Sequence, residues 1–486
     1  MTIGNAGSLA PSPSLPKRVF SSVFRSATGI AVITGLWLAL VSVAHAQESP
    51  AFDQYGGLKD RNFGPGKCFR THNDGERWWL VTPDGGAFLS LGVNNINPDG
   101  DVERGTHRQP YRETVQKKYA SVEDWAAATH ERLRAWGINT VGNWSSGHLR
   151  GRMPHAVELS VNPGGWGKGK VPDFFDPKAQ EYIRQRGAAV DGYINDPWLI
   201  GYFLDNELPW AFDYRRYPSL FPGCMAMAPE APGKQRLVEF FKQRYGTLEA
   251  LSRVWDVRLS DWAELAQLKN MAAVDSAKAE ADREEFVYLA AREYFKAAAE
   301  GIRSKDKDHL ILGCRFVYAL VPEPVVRACG EFCDVVSINY YEAGPVGDAA
   351  LGLTNGISMR LPRDLSFKPF YETAKKPLMI TEFSFRGMDS GMPNTFPPGW
   401  LLQPNVATQQ DRADKFEHCV TAWLSKPWFV GYHWFEFVDE PKGGRFDGEN
   451  GNYGLVNLED DPYSTLVERF TKVNQRVWEL HAASGR

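Results

Sequence analysis

Eight short apolar runs recur along this chain with longer helical stretches between them, and that alternation restricts the fold more than any other feature. The runs are Ala87–Asn94, Asn139–Trp144, Ala156–Val161, Leu199–Asp205, Leu310–Phe316, Val335–Tyr341, Leu378–Phe383 and Val430–Phe437. Stretches such as Val122–Trp136, Pro177–Tyr193, Glu284–Arg303 and Thr408–Leu424 read as helices instead. Strands separated by helices run parallel, because each crossover returns the chain to the same end of the sheet. Eight such strands match a closed barrel, although an open parallel sheet carries the same pattern. The expectation is an α/β fold, a (β/α)8 TIM barrel over residues 86–480. The gap at 208–308 exceeds one helix and holds Lys234–Tyr245, Thr247–Trp255 and Trp262–Leu268, which reads as a helical insertion after the fourth strand. Residues 47–85 read as a short N-terminal β lead-in with a hairpin about Asn73-Asp-Gly75.

Ahead of the lead-in, Lys17, Arg18 and Arg25 precede an apolar stretch near Ile30–Val43 and the small-x-small triplet Ala44-His-Ala46. That order is the pattern of an export signal, and its apolar part is short for a membrane span. Residues 1–46 are therefore expected to be a signal peptide. The remainder is expected to be exported, periplasmic or extracellular, with no stable membrane span after cleavage. A formal net charge of -4 and the lack of any basic run argue against nucleic acid as a partner. Six scattered cysteines do not make a small-domain disulfide framework, and only Cys329 and Cys333 lie near enough in sequence to pair. Aromatics reach 13% with 16 tryptophans, an excess that suits both a large core and the stacking of sugar rings.

Two of the runs end on acids, in Leu199-Ile-Gly-Tyr-Phe-Leu-Asp-Asn-Glu207 and Pro377-Leu-Met-Ile-Thr-Glu382. Catalytic groups converge at the C-terminal ends of barrel strands. Glu207 and Glu382, on the fourth and seventh strands, supply the carboxylate pair of glycoside hydrolysis. Taken singly, each would as readily cap a helix or pair with an arginine; together, at matching positions, they favour chemistry. Phe203, Asp205 and Glu207 share one parity, as do Leu378, Ile380 and Glu382, which aims both acids inward. Asn206 could donate to a sugar hydroxyl beside the reacting carbon. On the sixth strand Ser337, Asn339 and Tyr341 share a face, which selects Tyr341 over Tyr340 as the neighbour of Glu382. Asn94, Asn143 and the stretch His433-Trp434-Phe435-Glu436 bring a similar polar and aromatic mixture to other strand ends. Trp144, Trp166, Trp210 and Trp434 are the candidate stacking platforms. His433 reads as a pocket hydrogen-bonding group, since no second histidine stands at metal-binding spacing. This chemistry requires no metal and no cofactor.

These residues resemble glycoside hydrolase clan A, whose signature is matched by Asn206-Glu207. More narrowly, the chain is similar to the glycoside hydrolase family 50 β-agarases. The matching pieces are Trp78-Trp-Leu-Val-Thr-Pro-Asp-Gly85, Asn139-Thr-Val-Gly-Asn-Trp-Ser145, Gly201-Tyr-Phe-Leu-Asp-Asn-Glu207, His433-Trp-Phe-Glu-Phe-Val-Asp-Glu-Pro441 and Gly448-Glu-Asn-Gly-Asn-Tyr-Gly-Leu-Val456. The resemblance implies Glu207 as acid/base and Glu382 as nucleophile. It further implies a sugar site lined by Asn206, Asn143, Trp144, Tyr341, His433, Trp434, Glu449 and Asn452. Family members carry an N-terminal carbohydrate-binding-like domain where this chain has a short lead-in, so the resemblance implies either a trimmed agarase-like enzyme or a relative acting on another β-linked galactan or oligosaccharide.

Three alternatives remain open at this level. One is a β-galactosidase or another clan A specificity. A second is a metal-dependent barrel lyase or isomerase holding magnesium or manganese through Asp205, Glu207 and Glu382. The third is a sugar receptor without turnover.

Overall fold

The computed structural model describes residues 51–483 apart from 166–169, 211–218, 319, 343–364, 398–402 and 404. The expected signal peptide and Trp166 therefore lie outside the described residues. Contacts divide the chain into Met1–Ser49 and Pro50–Arg486, and everything below concerns the second unit.

The apolar runs fold as strands: β1 (Leu58–Asn62), β2 (Arg70–Asn73), β3 (Trp78–Val81), β4 (Gly86–Phe88), β5 (Ser90–Val93), β6 (Thr140–Val141), β7 (His155–Glu158), β8 (Leu199–Phe203), β9 (Leu310–Ile311), β10 (Phe316–Val317), β11 (Val336–Asn339), β12 (Leu378–Glu382), β13 (Arg386–Gly387), β14 (Asn405–Val406) and β15 (Phe429–Trp434). One sheet, all parallel, holds nine of them in the order β10-β11-β12-β15-β5-β6-β7-β8-β9.

The expected eight-stranded closed barrel is thus corrected to a nine-strand parallel half-barrel sheet. The cause is local. Within the run Leu310–Phe316, Gly313 (φ 85°) and Arg315 (φ 48°) are left-handed, a conformation no strand tolerates. The run breaks into β9 and β10, which occupy opposite edges of the ladder. The expected first strand divides too. Gly86–Phe88 joins an antiparallel sheet of order β1-β4-β3-β2, so the N-terminal β structure is a four-stranded sheet that reaches past residue 85. Between β8 and β9 stand helices Leu220–Ala226, Pro232–Tyr245, Leu248–Ser252, Trp262–Gln267 and Ser276–Lys305. Helix starts are written in the sequence, for Ser121, Asp176, Asp275 and Thr408 each accept a backbone N–H from the following turn.

Strands buried on both faces serve two cores. Leu199, Ile311, Val336, Leu378, Ile380 and Phe429 pack outward against the helices, so the inward parity expected for Leu378, Ile380 and Glu382 fails for the first two, and a register shift between Ile380 and Glu382 re-aims the acid. Ile200, Phe203, Leu312, Val335, Met379 and Val430 form a separate inner cluster, together with Phe69 and Phe88 of the antiparallel sheet. This inner plug leaves the C-terminal strand ends as the place where polar side chains gather. All six cysteines are buried free thiols, including Cys329 and Cys333. No described helix is long and apolar enough to cross a membrane.

Strand spacing depends on glycine at β8, where a Cβ on Gly201 would sit 2.3 Å from the backbone oxygen of Leu310. Gly201→Ala is expected to destabilise the protein by about 1–3 kcal/mol in urea unfolding, the usual cost of overpacking. Gly192→Ala, where a Cβ meets nothing within 4 Å, should stay close to the parent. Equal stability of the two variants would contradict this packing.

Candidate active site

Glu382 is the last residue of β12 and is buried. Both of its oxygens are engaged. Arg315 Nη2 donates to Oε1 at 2.5 Å, and Tyr341 Oη donates to Oε2 at 2.8 Å. Arg315 is itself fully buried and donates through Nε to Asn206 Oδ1 at 3.0 Å. The same Asn206 oxygen accepts from Asn339 Nδ2 at 3.0 Å, and that nitrogen also donates to Glu207 Oε1 at 3.1 Å. Glu207 and Glu382 are therefore joined through one cluster of three side chains, Asn206, Arg315 and Asn339. Because the Asn206 carbonyl accepts two hydrogen bonds, its amide nitrogen is the end left for a further partner. Thr381 Oγ1 donates to Asn339 Oδ1 at 2.8 Å, so the amide that links the two acids is fixed from both ends.

The phenol of Tyr341 is pushed well above its ordinary range by burial and by the charges of Glu382, Glu449 and Glu207. It stays protonated and acts as a donor. Tyr340 instead packs among Tyr318, Phe367 and Trp423. Trp144 is 42% exposed, and its ring carries the Arg315 guanidinium 4.4 Å from its centroid. Among the described residues it is the tryptophan that offers a face to solvent beside the acids. Asn143 donates to Glu158 Oε2 at 2.7 Å; both line a hollow of about 210 Å3 that Trp144 also borders. A larger hollow, about 960 Å3, lies by Gln235, Trp262 and Glu293, and none of the residues above lines it.

Six residues expected to contact sugar are instead engaged within the protein. Asn94 is fully buried, donates to the Thr381 carbonyl and accepts from the Asn143 amide, so it ties strand ends together. Asn452 is likewise buried, bonded to Gly387, Gln409 and Asp439. Trp434 and Trp210 are core residues, the first among Phe383, Phe416 and Phe470, the second between Phe174 and Phe295. His433 is buried against Ser90 Oγ at 2.9 Å, and burial, helped by Arg315, lowers it to about 3, so it stays neutral. Glu449 is held by Arg445 at 2.6 Å within a group that also contains Glu440 and Asp447.

Parity misplaces Asp205. The strand ends at Phe203 and Glu207 is left-handed (φ 52°), so alternation does not continue past β8. Asp205 turns to the Ser276–Lys305 helix, where it accepts from Tyr294 Oη at 2.5 Å and from the Asn162 amide at 2.9 Å. It does not join Glu207 and Glu382, which removes the three-oxygen ligand set. Among the described residues no group of three or more histidine, cysteine or acidic side chains is arranged to hold a metal. Arg315 escaped the sequence reading, which absorbed it into an apolar strand. A lone cation following Leu310-Ile-Leu-Gly-Cys, with a glycine to break the strand, is the signal that could have found it.

No protein-family model matches the chain. Burial raises Asp205 to about 8, against the hydrogen bonds from Tyr294 and Asn162. Its folded pKa lies above the unfolded value, so the native state holds the extra proton, and this contribution to stability declines as pH climbs from about 4 to 8. Asp205→Asn lacks it. The parent's stability relative to that variant should fall across this window in unfolding titrations, and parallel curves would contradict the assignment.

The chain is similar to beta-agarase B of Vibrio sp. (strain JT0107), 27% identical over 523 residues that cover 91% of this chain and 52% of that protein. It spans about half the length of the curated relatives it matches. Among solved structures it superposes on an agarase, AgWH50C, with a TM-score of 0.74 at 25% identity, covering 89% of this chain and 68% of that one. An exo-beta-agarase shares the fold at a TM-score of 0.75 and 23% identity, covering 89% and 68%.

Proposed function

We propose that this protein is an exported glycoside hydrolase that cleaves agarose or a related β-linked galactan by double displacement. The observation that carries the reading is the seating of Glu382, held by Arg315 and Tyr341 one hydrogen-bond cluster away from Glu207. The likeness to beta-agarases over most of the chain supports the substrate class. The basic, apolar and Ala44-His-Ala46 sequence at the N-terminus supports export.

In this mechanism Glu382 attacks the anomeric carbon while Glu207 protonates the departing oxygen. Glu207 then takes a proton from water, which displaces Glu382 and returns the sugar with its configuration retained. Arg315 and Tyr341 leave the carboxylate little freedom to turn, so its attack geometry is set before substrate arrives. The Asn206 amide nitrogen binds the hydroxyl next to the reacting carbon, and Trp144 offers its face to a sugar ring.

Replacing each acid separates the roles. Glu207→Ala is expected to lose about 10²–10⁴-fold in activity on agarose oligomers, the usual share of a general acid. Added azide should restore turnover in both Glu207→Ala and Glu382→Ala. Proton NMR should then show a glycosyl azide of retained configuration from the first and inverted configuration from the second. Parent-like activity in either variant, or the same anomer from both, would overturn the assignment.

A further inference from the structure

The geometry points to a second sugar-binding platform, built from Phe446 and Phe396 at the rim of the site, that stacks pyranose rings of a β-linked galactan remote from the bond being cleaved. This rests on the proposed hydrolase reading and extends it to chain length.

Phe446 is 83% exposed, the most exposed large apolar side chain among the described residues. Phe396 is 44% exposed. Solvent exposure of a single phenylalanine needs no explanation. Here the two rings stand on different loops that meet: a Cβ on Gly448, two residues beyond Phe446, would touch the Phe396 ring at 3.8 Å. The loops follow β12 and β15, so they belong to the strand ends that carry Glu382 and Phe435.

Neither ring hangs on a loose tip. Arg445 pairs with Glu440, Asp447 and Glu449, which fixes the turn that presents Phe446. Asn450 Oδ1 accepts from the Thr395 and Phe396 amides at 3.0 and 3.2 Å, and Arg386 Nη1 donates to the Phe396 carbonyl at 3.0 Å. A prepositioned aromatic loses little entropy on binding, which is what a stacking subsite requires.

The platform is also continuous with the reacting centre. From Glu382 the path runs through the Arg315 guanidinium to Trp144 at 4.4 Å, then to Phe435 at 6.4 Å. The Arg445 guanidinium lies 5.4 Å from both the Phe435 and the Phe446 rings. These contacts run largely through buried groups, Arg315 being fully enclosed and Phe435 4% exposed, so they tie the rim to the reacting centre while Phe446 and Phe396 supply the exposed faces. Pyranose rings offer apolar C–H faces that fit the exposed Phe446 and Phe396 rings, so a galactan chain suits the platform.

The test is a length series. Agaro-oligosaccharides from the shortest cleaved to chains several units longer are assayed with the parent, Phe446→Ala, Phe396→Ala and, as control, Tyr182→Ala. Tyr182 is 44% exposed on the helix Pro177–Gly187, away from these loops in the chain. Each rim variant is expected to raise KM on the long chains by about 3- to 10-fold, the worth of one aromatic contact. The ratio of long-chain to short-chain kcat/KM should fall accordingly, while the control keeps the parent ratio. An unchanged ratio in both rim variants overturns the platform and leaves the hydrolase reading standing. If the parent hydrolyses no oligomer, calorimetric titration of the parent with the longest chain decides. Binding weakened in the rim variants upholds the platform, and binding equal in all four proteins overturns it.

Discussion

The site is organised around one buried cation. Arg315 has no exposed surface, and its guanidinium is divided among Glu382, Asn206, the Thr381 carbonyl and the face of Trp144. A buried ion pair of this kind adds little net stability over an apolar pair, yet breaking it from one side costs about 3–5 kcal/mol because a charge is left unpaired. The pair is therefore better understood as a positioning device. It locks the carboxylate of β12 to the segment after β8, and it does so from the gap between β9 and β10. Every other contact in the cluster, from Asn339 to Tyr341, acts on groups whose positions Arg315 has already restricted.

That device needs an interrupted strand. A side chain at the end of a regular strand points along the pleat, so it reaches either the inner core or the helices. Asn95, Trp144, Glu207 and Arg315 all adopt left-handed backbone, with φ between 48° and 58°, just beyond β5, β6, β8 and β9. Such residues cost on the order of 1–3 kcal/mol each and persist only where surrounding contacts hold them. Their concentration at adjoining strand ends is what turns side chains out of both cores and toward one another. The same strain explains why the ladder divides at residues 312–315 rather than running through them.

Much of this was legible in the sequence, and its limits are physical. Apolar runs identified the strands because burial on both faces leaves no polar alternation to confuse them, and the stretches between them were long enough to read as helices. Closure of the sheet was not legible, since a two-residue strand such as Leu310–Ile311 differs from a longer one only in backbone angles. Tyr341 could be chosen over Tyr340 while alternation still held at the end of β11. Past β8 it no longer held, and Asp205 was given a direction it does not take. Asn94, Asn452, His433 and Trp434 stand at strand ends or in motifs that suggested sugar contacts, yet each is buried and bonds within the protein, to Thr381, Gly387, Ser90 and Tyr453 respectively. Residue type near an active site does not separate a group that binds substrate from one that builds the wall behind it.

The central claim is that Glu382, held by Arg315 and Tyr341, becomes covalently attached to the sugar during turnover. Intact-mass spectrometry of the protein after exposure to a 2-fluoro-galactosyl inactivator, followed by peptide mapping, addresses it directly. The account predicts a single added glycosyl group, located on Glu382. A label on any other residue, or steady hydrolysis of the reagent with no label at any time, would contradict it.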